Sequence, residues 1–161
     1  MPNETILNNL FLSGGIHLER GALFHLGITP KPPTFDFDRV EGMLLGIAIG
    51  DALGITTEGM LPLRRRLIYG EIRDYIPNQY VDQARGFPSD DTQLAFWTLE
   101  QLIEDEGFVP EHLATRFSRS GSIYGIGSTI RKFLLNLEAG IPWYKSGPES
   151  AGNGALMRIA P

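Results

Sequence analysis

A chain of 161 residues with 42% hydrophobic and 20% charged side chains has enough apolar material for one buried core, which excludes a wholly disordered chain. A formal net charge of -5 and a pI near 5.2 exclude phosphate-backbone binding as the main activity, because non-specific nucleic-acid affinity is built from clustered Lys and Arg. Cysteine is absent, which removes disulfides, thiolate metal sites and thiol nucleophiles and fits a reducing compartment.

The opening stretch MPNETILNNLFLSGG has neither the basic region nor the long apolar run of a signal peptide. The longest apolar stretch, around MLLGIAIG, falls short of the ~20 residues that span a bilayer. A cytoplasmic protein with no membrane partner and no nucleic-acid partner is expected. Residues 1–36 read as an N-terminal extension and connector. Within them HLERGALFHL is mildly periodic, either a short docked helix or a weakly ordered arm. GITPKPPTFDFD then carries three prolines in the seven residues from Thr29, and proline removes backbone donors and turns the residue before it away from helix.

Asp36 or Asp38 caps a first long helix through RVEGMLLGIAIGDAL. Its glycines at Gly42, Gly46, Gly50 and Gly54 each cost about 1 kcal/mol relative to alanine. Close approach of a neighbouring helix is expected at Gly42 and Gly46, and room for a ligand beside Asp51 at Gly50 and Gly54. The basic run Arg64 to Arg66 reads as solvated surface. From Ser89, apolar side chains at Ala95, Phe96, Leu99, Leu102 and Ile103 follow helical spacing. VPEHLATRFSRS gives a helix starting near Pro110, and GSTIRKFLLNLEAG another closed by Gly140. No stretch alternates as a strand would, so the fold class is all-α.

SDDTQ sets Asp90 and Asp91 side by side at a helix start. The partial positive charge and unpaired amides of a helix N-terminus accommodate both, and Asp90 as cap with Gln93 three residues on resembles a capping box. The alternative is a hard cation: magnesium takes oxygen ligands, Ser89, Asp90 and Asp91 present three from one rigid segment, and adjacent carboxylates repel unless something positive lies between them. GDALGITTE adds Asp51 and Glu58 around a helix end. YGIGSTIR puts Gly125 and Gly127 before a helix start, and GNGALMRIAP is a glycine-rich loop with Asn153 and one arginine. Such loops let backbone N-H groups approach a phosphate closely. Together they point to a phosphorylated or nucleotide-like small substrate. His17, His25 and His112 lack ligand spacing and read as structural or surface residues. Trp97, Trp143, Phe96 and Tyr144 read as core and cleft wall, with Tyr124 or Trp143 as a platform on which an adenine could stack.

These four segments resemble, in the same order, the motifs of the ADP-ribosylglycohydrolases, the family that includes dinitrogenase reductase-activating glycohydrolase. GDALGITTE matches G-D-x-x-G-x-x-x-E, SDDTQ matches [ST]-D-D-T, YGIGST is similar to the G-x-G loop, and GNGALMRIAP is close to N-G-x-x-M-R-x-x-P. The resemblance implies an all-α orthogonal helical bundle holding two magnesium ions, with manganese as a substitute. Ser89, Asp90 and Asp91 would be metal ligands and Glu58, Asp90 or Asp91 the catalytic carboxylate. The loops carrying Gly125, Gly127, Ser128, Gly152, Asn153 and Gly154 would contact the diphosphate and ribose. Asp51 would support the turn that aims Glu58. The implied reaction is hydrolysis of the bond between ribose C1 and an arginine, serine or other acceptor on an ADP-ribosylated protein or small conjugate. Family members continue past the N-G-x-x-M-R segment to a D-x-D-[ST] motif. Residues 37–161 are therefore expected to be the N-terminal half of a truncated domain, with a separate C-terminal half as a candidate partner. A catalytically inactive binding protein of the same fold and a metal-dependent phosphohydrolase are the alternatives.

Overall fold

In the structure, a computed structural model, residues 3–16, 18–27, 30, 32–77 and 83–161 are described; His17 lies outside them. The N-terminal extension carries a helix that its interspersed asparagines concealed. NETILNNLFL forms α1 (Asn3–Leu12), while HLERGALFHL yields only a short 3-10 turn at Ala22–His25. The Asn3 amide donates to the Phe108 carbonyl, Arg20 donates to the Asn8 side chain, and the rings of Phe11 and Phe24 meet edge to face at 5.5 Å.

Asp36 caps α2 (Phe37–Gly54) by accepting the Asp38 amide at 3.1 Å, as the sequence reading allows. The helix runs on into a 3-10 turn at Ile55–Thr57. The expected neighbour along its glycines is not found among the described residues: a Cβ on Gly42, Gly46, Gly50 or Gly54 would have no atom within 4 Å. The element packed against α2 is α4, and Ala52 is the one buried residue in the helix. The length expected for this stretch also needs correction. Helix and turn together cover 21 residues, Phe37–Thr57, long and apolar enough by length and composition to cross a bilayer. Counting the uninterrupted apolar run misses this, because the helix continues through its glycines and through Asp51, whose carboxylate ties it to α4.

α3 (Pro62–Tyr69) begins at a proline and contains Arg64, Arg65 and Arg66. Two of these are solvated, but Arg65 is half-buried. The central element is α4 (Asp90–Glu104), whose buried stripe is Thr92, Leu94, Ala95, Thr98 and Gln101. The helical spacing places Ile103 on the core face, yet it is 67% exposed. The inner face includes polar residues because their groups are satisfied. Thr98 Oγ1 donates to the Leu94 carbonyl at 2.7 Å, and Gln101 joins Asp105 and Arg116.

α5 (Pro110–Arg119) and α6 (Ser128–Glu138) begin as the sequence indicates, at Pro110 and just after Gly127, and Gly140 ends the α6 turn at φ +79. α7 (Trp143–Ser146) follows, and a last 3-10 turn, Leu156–Arg158, returns to pack on α4. Leu94, Phe117 and Ile130 form the centre of the core, with Trp97, Phe133 and Met157 around them. No strand occurs among the described residues, so the fold is an all-α bundle.

Candidate functional site

The last turn of α2 meets the first turn of α4 through one carboxylate. Asp51 accepts hydrogen bonds from the Ser89 amide (2.7 Å), the Ser89 hydroxyl (2.5 Å), the Thr92 amide (3.2 Å) and the Thr92 hydroxyl (2.5 Å). The expectation of Asp90 as the cap, with Gln93 completing a capping box, is corrected here. Ser89 is the N-cap, and its Oγ accepts the Asp91 amide at 3.4 Å. A capping box satisfies the N-cap and third-residue amides from within the helix. Here Asp51 takes both from outside, and Gln93, one residue past the box position, accepts the Tyr124 amide at 2.8 Å.

The glycine loop before α6 closes on the same turn. Gly125 has φ +67, and a Cβ there would lie 3.0 Å from Ser89 Cβ and 3.4 Å from Ile55 Cδ1, so both backbone and space require glycine. The Gly127 amide reaches Asp90 Oδ2 at 3.4 Å. Burial raises the Asp90 pKa above the ordinary carboxylate value, the Gly127 amide partly offsets this, and the charges of Glu58 and Asp51 raise it further. Asp91 is raised by burial, then by Asp51 and Asp90.

Asp51, Glu58, Arg65, Ser89, Asp91 and Asn153 line a cleft of about 660 Å³, with the open faces of Gly46, Gly50 and Gly54 as part of its wall. The room expected at Gly50 and Gly54 is present, and Gly46 shares it. Other candidates lie apart from this wall. Asp90, Gly125 and Gly127 are not among its lining, although Gly125 packs against Ser89 and the exposed Gly127 reaches Asp90 with its amide, and Ser128 is exposed at the first turn of α6. Gly152 donates its amide to Ser150 Oγ at 3.1 Å, and Gly154 sits against the Ile130 side chain. Tyr124 stacks edge-on against Phe87, Trp143 against Tyr144, and neither lines the cleft. His112 pairs with Asp105 at 2.8 Å and lowers its pKa, a surface role.

The oxygen donors of Ser89, Asp90 and Asp91 suit a hard cation in kind, and burial together with the neighbouring carboxylates, Glu58 and Asp51 around Asp90 and Asp51 and Asp90 around Asp91, leaves the two acids in want of positive charge. In number they are only part of a shell: among the described residues no group of three or more His, Cys, Asp or Glu side chains could hold a metal ion.

Residues 32–161 match the family model described as ADP-ribosylglycohydrolase. The chain belongs to the ADP-ribosylglycohydrolase family. It is 36% identical over 127 residues to an uncharacterized protein of Archaeoglobus fulgidus, covering 77% of this chain and 42% of that one. It is 32% identical over 140 residues to the ADP-ribosylarginine hydrolase Tri1 of Pseudomonas putida, covering 80% and 36%. To the Tri1 protein of Serratia proteamaculans it is 33% identical over 141 residues, covering 81% and 37%. The match thus spans about two fifths of the length of these relatives.

Within this glycohydrolase-family chain, sequence reasoning misses three participants. Thr92 follows the two aspartates, and its place in SDDT is the available signal. Arg65 has none, since an arginine run says nothing of which member turns inward. Arg158 stands in the last glycine-rich loop with no role assigned by its motif. Its guanidinium lies over the Phe117 ring at 5.2 Å with Nη1 buried and unpartnered, and burial lowers its pKa against the opposing pull of Asp90.

Proposed function

We propose that this chain forms the magnesium-binding front of a glycohydrolase site that releases ADP-ribose from a modified arginine side chain. The observation that carries the reading is the meeting of four motifs at one place. Asp51, Glu58, Ser89, Asp91 and Asn153 line the cleft, while Gly125 packs against Ser89 and the Gly127 amide donates to Asp90. The arginine acceptor rests on the two relatives named ADP-ribosylarginine hydrolase.

Ser89, Asp90 and Asp91 would hold magnesium, with the rest of the shell from water or further polypeptide. Magnesium, when bound, supplies positive charge and Lewis acidity against the ribose hydroxyls. Glu58, on the cleft wall, takes the proton of the attacking water as general base. The Gly127 amide is engaged by Asp90, so phosphate contact from this loop falls to the amides that open α6 at Ser128. The Gly152 amide is held by Ser150, which leaves Asn153 to face the ligand from the last loop.

A second reading, ADP-ribose binding without turnover, is favoured by the absence of a three-acid group among the described residues. Both are tested by incubating the chain with an ADP-ribosylarginine peptide, with magnesium or a chelator, and quantifying free ADP-ribose by chromatography. Magnesium-dependent release supports hydrolysis, whereas binding with no release supports the second reading. Release of phosphate in place of ADP-ribose, or release indifferent to chelation, refutes both.

A further inference from the structure

We infer that Asp51 is the positioning residue of this site, an acid that clamps the first turn of α4 and fixes the Ser89 hydroxyl as an acceptor. The inference rests on the magnesium reading above and extends it to a residue that reading left without a role.

A carboxylate offers about four lone-pair sites on its two oxygens. Asp51 receives four donors: Oδ1 takes the Ser89 hydroxyl, and Oδ2 takes the Ser89 amide, the Thr92 amide and the Thr92 hydroxyl. Oδ2 is therefore fully taken up from within the protein, and Oδ1 keeps one lone-pair site, although the residue lies on the cleft wall. Asp90 and Asp91 are used differently. Asp90 accepts a long bond from the Gly127 amide at 3.4 Å and one from its own backbone amide, and Asp91 accepts none from the described residues. One acid held by four backbone and hydroxyl donors beside two that take few is a division of labour between scaffold and ligand.

Ser89 shows what the clamp accomplishes. Its single hydroxyl proton goes to Asp51, so toward everything else Oγ can only accept. One lone pair meets the Asp91 amide at 3.4 Å, and the other remains on a residue that is 3% exposed yet borders the cleft. A free serine hydroxyl would rotate between donating and accepting. Held by Asp51, it is committed to the role a cation requires. Thr92, pinned through both amide and hydroxyl, fixes the far side of the turn that carries Asp90 and Asp91 between them.

The test is calorimetric magnesium titration of the wild-type chain, Asp51→Ala, Ser89→Ala and the double variant, with amide exchange at Ser89 and Thr92 followed in the metal-free proteins. Asp51→Ala is expected to weaken magnesium binding about 10- to 100-fold, the range for residues that orient ligands from behind. The double variant loses less than the product of the single losses, because Asp51 acts through Ser89. Asp51→Asn, which keeps one acceptor oxygen, falls between wild type and alanine and serves in its place if the alanine variant does not fold. Losses that multiply in full, an asparagine variant as weak as alanine, or Asp51→Ala binding like wild type would each overturn the inference. A wild-type chain that takes up no magnesium removes the magnesium reading instead. The clamp is then decided by exchange: faster exchange at Ser89 and Thr92 in Asp51→Ala upholds it, and unchanged protection overturns it.

Discussion

Gly125→Ala and Gly127→Ala should behave very differently although they lie two residues apart in the same loop. At Gly125 the backbone is left-handed, φ +67, and a non-glycine residue there costs about 1–2 kcal/mol. The new Cβ would also stand 3.0 Å from Ser89 Cβ, tighter than ordinary van der Waals contact, with Ile55 Cδ1 at 3.4 Å, and such overpacking adds about 1 kcal/mol or more. The sum is about 2–3 kcal/mol, a fall of roughly 4–12 °C in melting temperature for a domain of this size. Gly127 has φ -67 and ψ 158, which any residue adopts, and a methyl group there would meet no atom within 4 Å, so alanine should cost under about 0.5 kcal/mol. Thermal melts followed by circular dichroism, with urea midpoints as a check, measure both. Two variants that melt together would show that the loop does not press on Ser89 and that the close approach is not a constraint.

Three further outcomes are expected. Asp90 and Asp91 have folded pKa values raised above their ordinary range, so each contributes stability when protonated and loses it as pH rises through the raised value. Without metal, Asp90→Asn and Asp91→Asn should therefore melt above the wild type at neutral pH. That advantage should shrink as the solution is acidified, and one that grows on acidification contradicts the assignment. Arg158→Met removes a guanidinium with a buried unpartnered nitrogen, so stability should hold within about 1 kcal/mol or rise. It should also push the Asp90 pKa higher by removing a nearby positive charge, which carboxyl NMR titration reads. Ser146→Ala should cost about 1–3 kcal/mol in urea unfolding, because the fully buried Ser146 hydroxyl serves the Ile141 and Pro142 carbonyls at 2.9 Å each; a loss near zero would mean those carbonyls find other donors.

Much of the architecture is legible in the sequence because local signals decide it. Asp36, Pro110 and Gly140 mark helix ends by their own backbone chemistry, and the structure uses all three that way. What lies across space is less so. The spacing of Gly42 to Gly54 is visible in the sequence, but whether a helix or open space faces it depends on elements packed from afar. The N-cap is misread for a similar reason. Serine and aspartate cap equally well, and the choice falls to Ser89 because Asp51, 38 residues earlier, accepts its amide. α1 escapes detection because asparagines, weak helix formers, interrupt its apolar residues, and Leu10 is its one buried side chain.

The Asp51–Ser89 bond also bears on how the chain tolerates change in length. It closes a loop of 38 residues, and the entropy of closing a flexible loop grows only with the logarithm of its length. Doubling that loop would cost about 0.6 kcal/mol, less than the roughly 1 kcal/mol of a typical hydrogen bond. The stretch between Gly70, where α3 ends, and Gly86 is thus a place where insertions can accumulate while the first turn of α4 keeps its geometry. New surface can be added there without disturbing Asp90 and Asp91.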